Sequence, residues 1–347
     1  MHYKLALIGF GNVARNLALL LERKRSLLEE RYNITFSITG IATGRHGFAV
    51  NPNGLDVQKA LELVESGKDI SSLNNYQLPI SDSLAVIQHS QADVMFENSP
   101  VNTQTGQPAM DYIRAALEAG MHAITANKGP VVHGYSALTA LAKSRGKSFL
   151  HESTVLGGSP LFSVFREALP AAELRSFKGL INATTNIILS RMERGETFEQ
   201  AVKFCQSIGV AEADPTNDVD GWDAAIKVAA LITVLMDTPF TPQMVNPTGI
   251  RTITPQMIAQ AKADGKRWKL VASARRDGEQ IIASVAPELV PPSSPLYNMM
   301  DSSTGLTFET DVLPLLSISV TEREGMSGGP AETAYGLFAD FVNIARA

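Results

Sequence analysis

The chain has 347 residues, more than one hydrophobic core usually serves, so two domains of roughly 100–200 residues are expected. A hydrophobic share of 44% with 19% charged residues fits a folded protein, not a disordered one, and a net charge of -5 offers no basic footprint for nucleic acid. A single cysteine, Cys205, excludes an internal disulfide framework. Cys205 closes the amphipathic run from Glu199, which reads as a helix and places the thiol in a core. The histidines at 2, 46, 89, 122, 133 and 151 show no metal-ligand spacing. The apolar run Leu5–Ile8 is too short for a signal peptide, and the most apolar stretch, Ala224 to Met236, is short for a membrane span and holds Lys227. A cytoplasmic location is expected.

Lys4–Ile8 reads as a strand, Val13–Arg23 as a helix, and Thr35–Ala42 as a second strand after a Tyr32-Asn33 break. Asp93–Glu97 reads as a strand, Met110–Ala119 as a helix, His122–Thr125 as a strand after Gly120, Tyr135–Arg145 as a helix and Ser148–His151 as a strand. Alternating strands and helices imply an α/β domain over residues 1–150, with a parallel sheet covered on both faces. From Glu152 the texture changes. Leu161–Leu169 reads as a helix, Leu174–Asn182 as a strand, and Asn186–Glu193 and Phe198–Ser207 as helices. A polar loop, Glu212–Gly221, precedes a long helix, Trp222–Met236, and a further helix is expected at Pro255–Asp264. Trp268–Arg276, Ile281–Pro287 and Gly305–Val312 look like antiparallel strands, making 151–317 a mixed α+β domain. A last strand, Ile318–Val320, and an amphipathic helix, Ala331–Ala345, end the chain; the helix should pack back on one of the domains.

The first strand runs into Gly9-Phe10-Gly11-Asn12-Val13-Ala14, with a helix after it. This is a G-x-G-x-x-A pattern. The first glycine permits a tight turn, the second lets a pyrophosphate approach the backbone, and the small Ala14 lets helix and strand pack closely. The helix start offers unpaired N–H groups and a positive dipole end. Alone, the glycines could serve only a turn; between a first strand and a helix they point to a nicotinamide dinucleotide in a Rossmann-type domain. The second strand ends in Ile41-Ala42-Thr43-Gly44-Arg45-His46, with no acid for a ribose 2′-hydroxyl. Arg45 could pair with a 2′-phosphate, which favours NADP over NAD; otherwise it is a solvated loop charge.

The helix Ala224–Met236 is apolar on every face, hence buried, with Lys227 its only charge. A buried lysine is costly unless paired, and Asp223 lies four residues earlier in the favoured order. The pair could be purely structural, but burial of this kind draws a lysine's pKa towards neutrality and makes catalytic lysines. Asp220 is placed to cap the helix with Asp223 as in a capping box. The acids of the preceding loop suit the ammonium of a small amino acid. Lys128, in Thr125-Ala126-Asn127-Lys128-Gly129, follows a parallel strand, where ligands of such sheets bind. Asn182-Ala183-Thr184-Thr185-Asn186 is a polar cluster that could meet a substrate carboxylate or cap a helix.

In order and spacing, Gly9-Phe10-Gly11-Asn12-Val13-Ala14, Thr125-Ala126-Asn127-Lys128, Gly179 to Asn186 and Glu212-Ala213-Asp214-Pro215…Asp218…Gly221-Trp222-Asp223…Lys227 resemble homoserine dehydrogenase, across nearly the whole chain. The resemblance implies NAD(P)H-dependent reduction of L-aspartate 4-semialdehyde to L-homoserine, on the route to threonine and methionine, in a homodimer. It implies a Rossmann domain completed by about 318–347, and a substrate-binding and dimerisation domain over 151–317. Lys227 and Lys128 are its candidate acid/base groups, with Asp223 orienting Lys227. Glu212 and Asp218 would hold the substrate amine, with Thr184 and Asn182 near the substrate. Gly9, Phe10, Gly11, Asn12, Val13, Ser99, Lys128 and Gly329 would contact the cofactor, the last in Gly328-Gly329-Pro330-Ala331. His151 to Pro160 resembles a sodium-binding segment, with Glu152, Val155, Gly157 and Ser159 as ligands. Two positions depart from the family: Val210 stands where a tyrosine is frequent, and Leu156 replaces a glycine in the sodium segment. The C-terminal regulatory domain of many relatives has no counterpart after Ala347, so feedback inhibition by threonine through it is not expected.

Two rivals remain at this point. One is a Rossmann oxidoreductase paralogue with another small amino acid or aldehyde as substrate. An aspartate-semialdehyde dehydrogenase would need a nucleophilic cysteine, for which Cys205 lacks the setting. The other is a non-catalytic NADP sensor, which would have no use for Lys227 and Asp223 in a buried helix.

Overall fold

In the computed structural model, which describes residues 1–75, 80–321 and 329–346, the chain divides into two units, Met1–Pro160 with Pro330–Ala347 and Leu161–Gly329. The first unit carries a six-stranded sheet of β1 (His2–Ile8), β2 (Thr35–Ala42), β3 (Phe48–Val50), β4 (Val94–Glu97), β5 (His122–Thr125) and β6 (Phe149–Leu150). The order is β3-β2-β1-β4-β5-β6, parallel throughout except the antiparallel edge pair β2–β3. Leu5 to Ile8 and all of β4 are buried, as continuous apolar strands must be where helices cover both faces. The strand order reverses between β1 and β4, and in such sheets the ligand crevice opens beyond the carboxyl ends there.

The helices of this unit are α1 (Asn12–Tyr32), α2 (Val57–Glu65), α3 (Ser83–His89), α4 (Ala109–Glu118), α5 (Lys128–Ser144) and the short α6 (Ser153–Leu156). Helix α1 runs well past the expected end at Arg23. Its charged middle faces solvent, Leu28 returns to the core, and Asn33 closes it in a left-handed conformation at φ 53°, its N–H on the carbonyls of Glu29 and Leu28. Helix α5 starts well before the expected Tyr135. The Asn127 side chain caps it by accepting from Gly129 N at 3.0 Å, and Pro130 falls in the first turn, where its missing N–H costs nothing. The strand β3 and the helices α2 and α3 were not expected.

The second unit carries an antiparallel sheet of β7 (Leu174–Leu180), β8 (Arg267–Asp277), β9 (Gln280–Val290), β10 (Thr304–Thr310) and β11 (Leu316–Val320), ordered β11-β10-β7-β8-β9. Its helices are α7 (Ala183–Glu193), α8 (Phe198–Ser207), α9 (Thr216–Val219), α10 (Trp222–Leu235), α11 (Pro242–Val245) and α12 (Pro255–Ala263). Val164–Ala168 forms a π-turn where a longer helix was expected. Residues Ala224 to Thr233 of α10 are buried apart from Lys227, as an all-apolar helix requires.

The tail is corrected in one respect. The segment from about 318 was expected to complete the first domain, but Ile318–Val320 lies in β11 and pairs antiparallel with β10, Leu306 opposite Ile318. Only α13 (Pro330–Arg346) joins the first unit, where Leu337 and Phe341 share a core with Leu17 and Leu21. The Phe341 ring meets Tyr3 and Phe96 edge-on, with centroids 5.7 and 6.2 Å away. No helix among the described residues is long and apolar enough to cross a membrane.

Candidate active site

In the first unit, Gly9 ends β1 at φ 87°, a conformation that suits glycine, and a Cβ there would collide with the backbone of Asn98 and Ser99. Gly11 is the N-cap of α1 with no side-chain cap and open space beside its Cα. The first N–H groups of α1 are therefore left for an anion. Phe10 is buried, Val13 packs on the same core, and Asn12 is exposed, its Oδ1 accepting from Arg15 Nη2 at 2.6 Å. The Asn98 amide beside Gly9 is buried, and neither its nitrogen nor its oxygen has a hydrogen-bond partner among the described residues. An orphaned amide, an uncapped helix start and a glycine turn together fit a dinucleotide.

Arg45 follows β2 on an exposed turn and makes no ion pair among the described residues. Its loop is ordered from within: Thr43 Oγ1 donates to Gly47 O at 3.0 Å and accepts from His46 N at 2.6 Å. Lys128 opens α5, half-buried, directly after the Asn127 cap. One residue absent from the expectations stands at the centre of these loops. Glu97, fully buried, accepts from Ser99 N at 2.8 Å, from the Ser99 hydroxyl, and from Thr125 Oγ1 at 2.8 Å. Burial pushes its carboxyl up from the ordinary glutamate range, and these hydrogen bonds pull it back. Gly329 precedes α13, exposed and at φ 113°; its neighbour Gly328 lies outside the described residues.

In the second unit, Asp223 and Lys227 form the ion pair that their spacing suggested, at 2.9 Å, with side chains 20% and 15% exposed. Lys227 Nζ also donates to Ile181 O at 2.8 Å. Asn182 joins the acids: its Nδ2 donates to Asp218 Oδ1 at 2.6 Å and to Asp223 Oδ2 at 3.0 Å, while its Oδ1 caps α7 through Thr185 N at 2.9 Å. Asn182 thus caps the helix, as one reading of that polar cluster had it, and also hydrogen-bonds two acids. Burial, reinforced by the neighbouring Asp223 charge, raises the Asp218 carboxyl above its ordinary range; the Asn182 bond, the Lys227 charge and the Thr184 hydroxyl oppose this.

One placement differs from expectation. Asp220 does not cap α10: Gly221, left-handed at φ 86°, takes that position with no side-chain cap, and Asp220 pairs with Arg251 at 2.5 Å. The loop before it contains α9, which carries Asp218 into the cluster. Glu212 sits on an exposed turn. Its carbonyl accepts from Gln206 at 3.3 Å, and its carboxylate makes no hydrogen bond to the cluster among the described residues. Val210 is half-buried at the end of the α8 turn. Cys205 is fully buried and its thiol is pushed up to about 11 by burial, as a packing residue and not a nucleophile.

The segment His151–Pro160 belongs to the first unit. Glu152, Val155, Leu156 and Ser159 are buried, and Gly157 turns at φ 53°. The Glu152 backbone donates to Asp340 Oδ2 of α13 at 2.8 Å, and Ser153 Oγ to Thr333 O at 2.6 Å. Ser159 Oγ is buried with no hydrogen-bond partner among the described residues. A buried hydroxyl left without a partner is the one feature of this segment that a cation ligand set would use. Among the described residues no group of three or more His, Cys, Asp or Glu could hold a metal.

A family model described as homoserine dehydrogenase matches residues 160–342. The NAD(+)-dependent homoserine dehydrogenase of Pseudomonas canavaninivorans is 34% identical, over 99% of this chain and 96% of its own. The homoserine dehydrogenase of Methanocaldococcus jannaschii is 35% identical, over 97% of each. A homoserine dehydrogenase structure from Thiobacillus denitrificans superposes with a TM-score of 0.81 at 26% identity, over 100% of this chain and 74% of that one. The chain belongs to the homoserine dehydrogenase family, nicotinamide-dependent oxidoreductases.

Proposed function

We propose that the chain catalyses the reversible NAD(P)H-dependent reduction of L-aspartate 4-semialdehyde to L-homoserine. The observation that carries this reading is the cluster in which Asn182 holds Asp218 and Asp223 together and Asp223 holds Lys227. Such a cluster suits an amino acid with a reacting oxygen: the acids take its ammonium, and the lysine serves the oxygen. Lys227 spends two of its three N–H donors on Asp223 and Ile181, which leaves the third for the substrate. In reduction it gives a proton to the forming alkoxide; in oxidation it accepts the hydroxyl proton. Asp218, Glu212, Thr184 and Asn182 bind and orient the amino acid, which supplies alignment. Lys128 is the second candidate acid/base group and a cofactor contact. The bound nicotinamide supplies or accepts the hydride.

The residues proposed for the dinucleotide are Gly9, Phe10, Gly11, Asn12, Val13, Arg45, Ser99, Lys128 and Gly329. The exposed Arg45 and the lack of an acid after β2 favour NADP. NAD is the second reading, favoured by the relative from Pseudomonas canavaninivorans, which is named for its NAD(+) dependence. Glu152, Val155, Gly157 and Ser159 are proposed to hold a sodium ion. We further assign the enzyme to the cytoplasm, as a homodimer, in threonine and methionine biosynthesis. The test is absorbance at 340 nm with L-homoserine and either NADP or NAD. A homoserine-dependent rise is expected, faster with NADP; binding of a dinucleotide without any rise would move the reading to a paralogue with another substrate or to a sensor.

A further inference from the structure

Glu97 ends β4 in register with Ile8 of β1 and Thr125 of β5, at the carboxyl edge of the sheet. It is fully buried, and the groups that hydrogen-bond its side chain are all neutral. A carboxylate removed from water in this way is costly, and packing alone would be served better by an apolar residue.

Its hydrogen bonds form a closed circuit. Oε1 accepts from the backbone N of Ser99 at 2.8 Å and from the Ser99 hydroxyl, while Oε2 accepts from Thr125 Oγ1 at 2.8 Å. Thr125 Oγ1 in turn accepts from Asn127 N at 2.9 Å. Asn127 returns to the first loop, its Nδ2 donating to Ser99 O at 3.4 Å, and caps the helix that Lys128 opens. The Gly9 turn rests against the same segment, since a Cβ there would collide with Asn98 and Ser99. The loops after β1, β4 and β5 thus meet at one carboxylate, beside the orphaned Asn98 amide.

We infer that Glu97 is a positioning residue of the dinucleotide site, its carboxylate tying the loop after β4 to the start of α5 so that Asn98, Ser99 and Lys128 are presented to the cofactor as one piece. The inference rests on the cofactor reading of the preceding subsection. A carboxylate suits the place because Ser99 N–H, Ser99 O–H and Thr125 O–H all donate towards it. An amide could serve Ser99 with its oxygen, but its nitrogen would then face the Thr125 hydroxyl, which must turn away.

The test compares wild type with Glu97→Ala, Glu97→Gln and Thr125→Val. NADPH and NADH are titrated by fluorescence, and the homoserine KM is measured at saturating cofactor. Glu97→Ala is expected to raise the cofactor Kd about tenfold to hundredfold, the range set by orphaning buried donors, with the homoserine KM unchanged. Glu97→Gln should recover most of the loss, and Thr125→Val should fall between. A folded Glu97→Ala protein with the wild-type cofactor Kd would overturn the inference, as would equal rises in cofactor Kd and homoserine KM. If Glu97→Ala does not fold, an unchanged cofactor Kd in Thr125→Val overturns it. A wild-type chain that binds neither dinucleotide would overturn the proposed function as well, a result distinct from the others.

Discussion

Replacing Lys227 with alanine removes the group proposed to hold the reacting proton, and the geometry sets what should follow. The ammonium lies 2.9 Å from Asp223 and 2.8 Å from Ile181 O, fixed by the far end of the same helix turn and by the strand-to-helix junction before α7. A proton donor positioned in this way contributes about 100-fold to 10,000-fold to a rate. Lys227→Ala should therefore lower kcat by that factor, a rise in barrier of about 3–5 kcal/mol. Stability should fall as well, by about 1–3 kcal/mol, because the pair is mostly buried and the substitution leaves Asp223 and the Ile181 carbonyl without their partner. A second effect comes through Asp218. The Lys227 charge is one of the influences holding the Asp218 carboxyl down, against burial and Asp223. Without it that carboxyl rises further, and only its ionised form can bind the substrate ammonium. The acid limb of kcat/KM for homoserine should then move to higher pH in the variant. Initial rates at 340 nm across pH, with dinucleotide affinity followed by fluorescence, measure both effects. A kcat within tenfold of wild type would refute the role of Lys227, and loss of dinucleotide binding would show damage beyond the substrate cluster.

Asp218→Asn should raise the homoserine KM about tenfold to hundredfold with dinucleotide Kd unchanged, and should abolish the acid limb that burial of Asp218 places above the ordinary carboxylate range; a retained limb would assign it to another group. Arg45→Ala should weaken NADP while sparing NAD, read from the two kcat/KM values; equal losses would show that Arg45 does not meet the 2′-phosphate. Lys269 tests the second unit's core. It is fully buried, its Nζ donates to Asn186 Oδ1 at 2.8 Å and to Met299 O at 2.6 Å, and burial draws its pKa down to about 8 from 10.5. Because the folded value lies below the unfolded one, the unfolded chain binds more protons between those values, so this group makes stability rise with pH from about 8 to about 10.5, by roughly 3 kcal/mol. Urea unfolding across that range should show the rise in wild type relative to Lys269→Met; identical slopes would mean that Lys269 is neutral, or charged, in both states.

What the sequence revealed depended on how local the governing physics is. The glycine turn after β1, the alternation of apolar strands and amphipathic helices, and the Asp223–Lys227 spacing all act within a few residues, and the structure has them. The length of α1 was hidden because its charged turns look like an ending, although Leu28 resumes the buried stripe. The start of α5 was hidden by Gly129, Pro130 and Gly134, which read as breakers until the Asn127 cap is seen. Asp220 looked like a cap because its spacing was right, but a distant partner, Arg251, takes its carboxylate, and Gly221 turns the chain without it. The last strand carried no sign of which sheet it would join, since pairing with β10 is a long-range choice. Glu97 gave little local signal: Ser99 lies two residues on, but Thr125 comes from the neighbouring strand 28 residues on, and only the sheet register brings it to the carboxylate.

The central claim is that an acid–lysine cluster on the second unit reads the ammonium of an amino acid whose hydroxyl is then oxidised. Its most direct test is NADPH or NADH formation at 340 nm with L-homoserine beside 4-hydroxybutanoate, the same alcohol without the ammonium. The account predicts a rise with homoserine and, for the analogue, a kcat/KM lower by about a hundredfold or more, as expected when buried carboxylates lose their partner. No rise with homoserine, or equal rates with both alcohols, would contradict it.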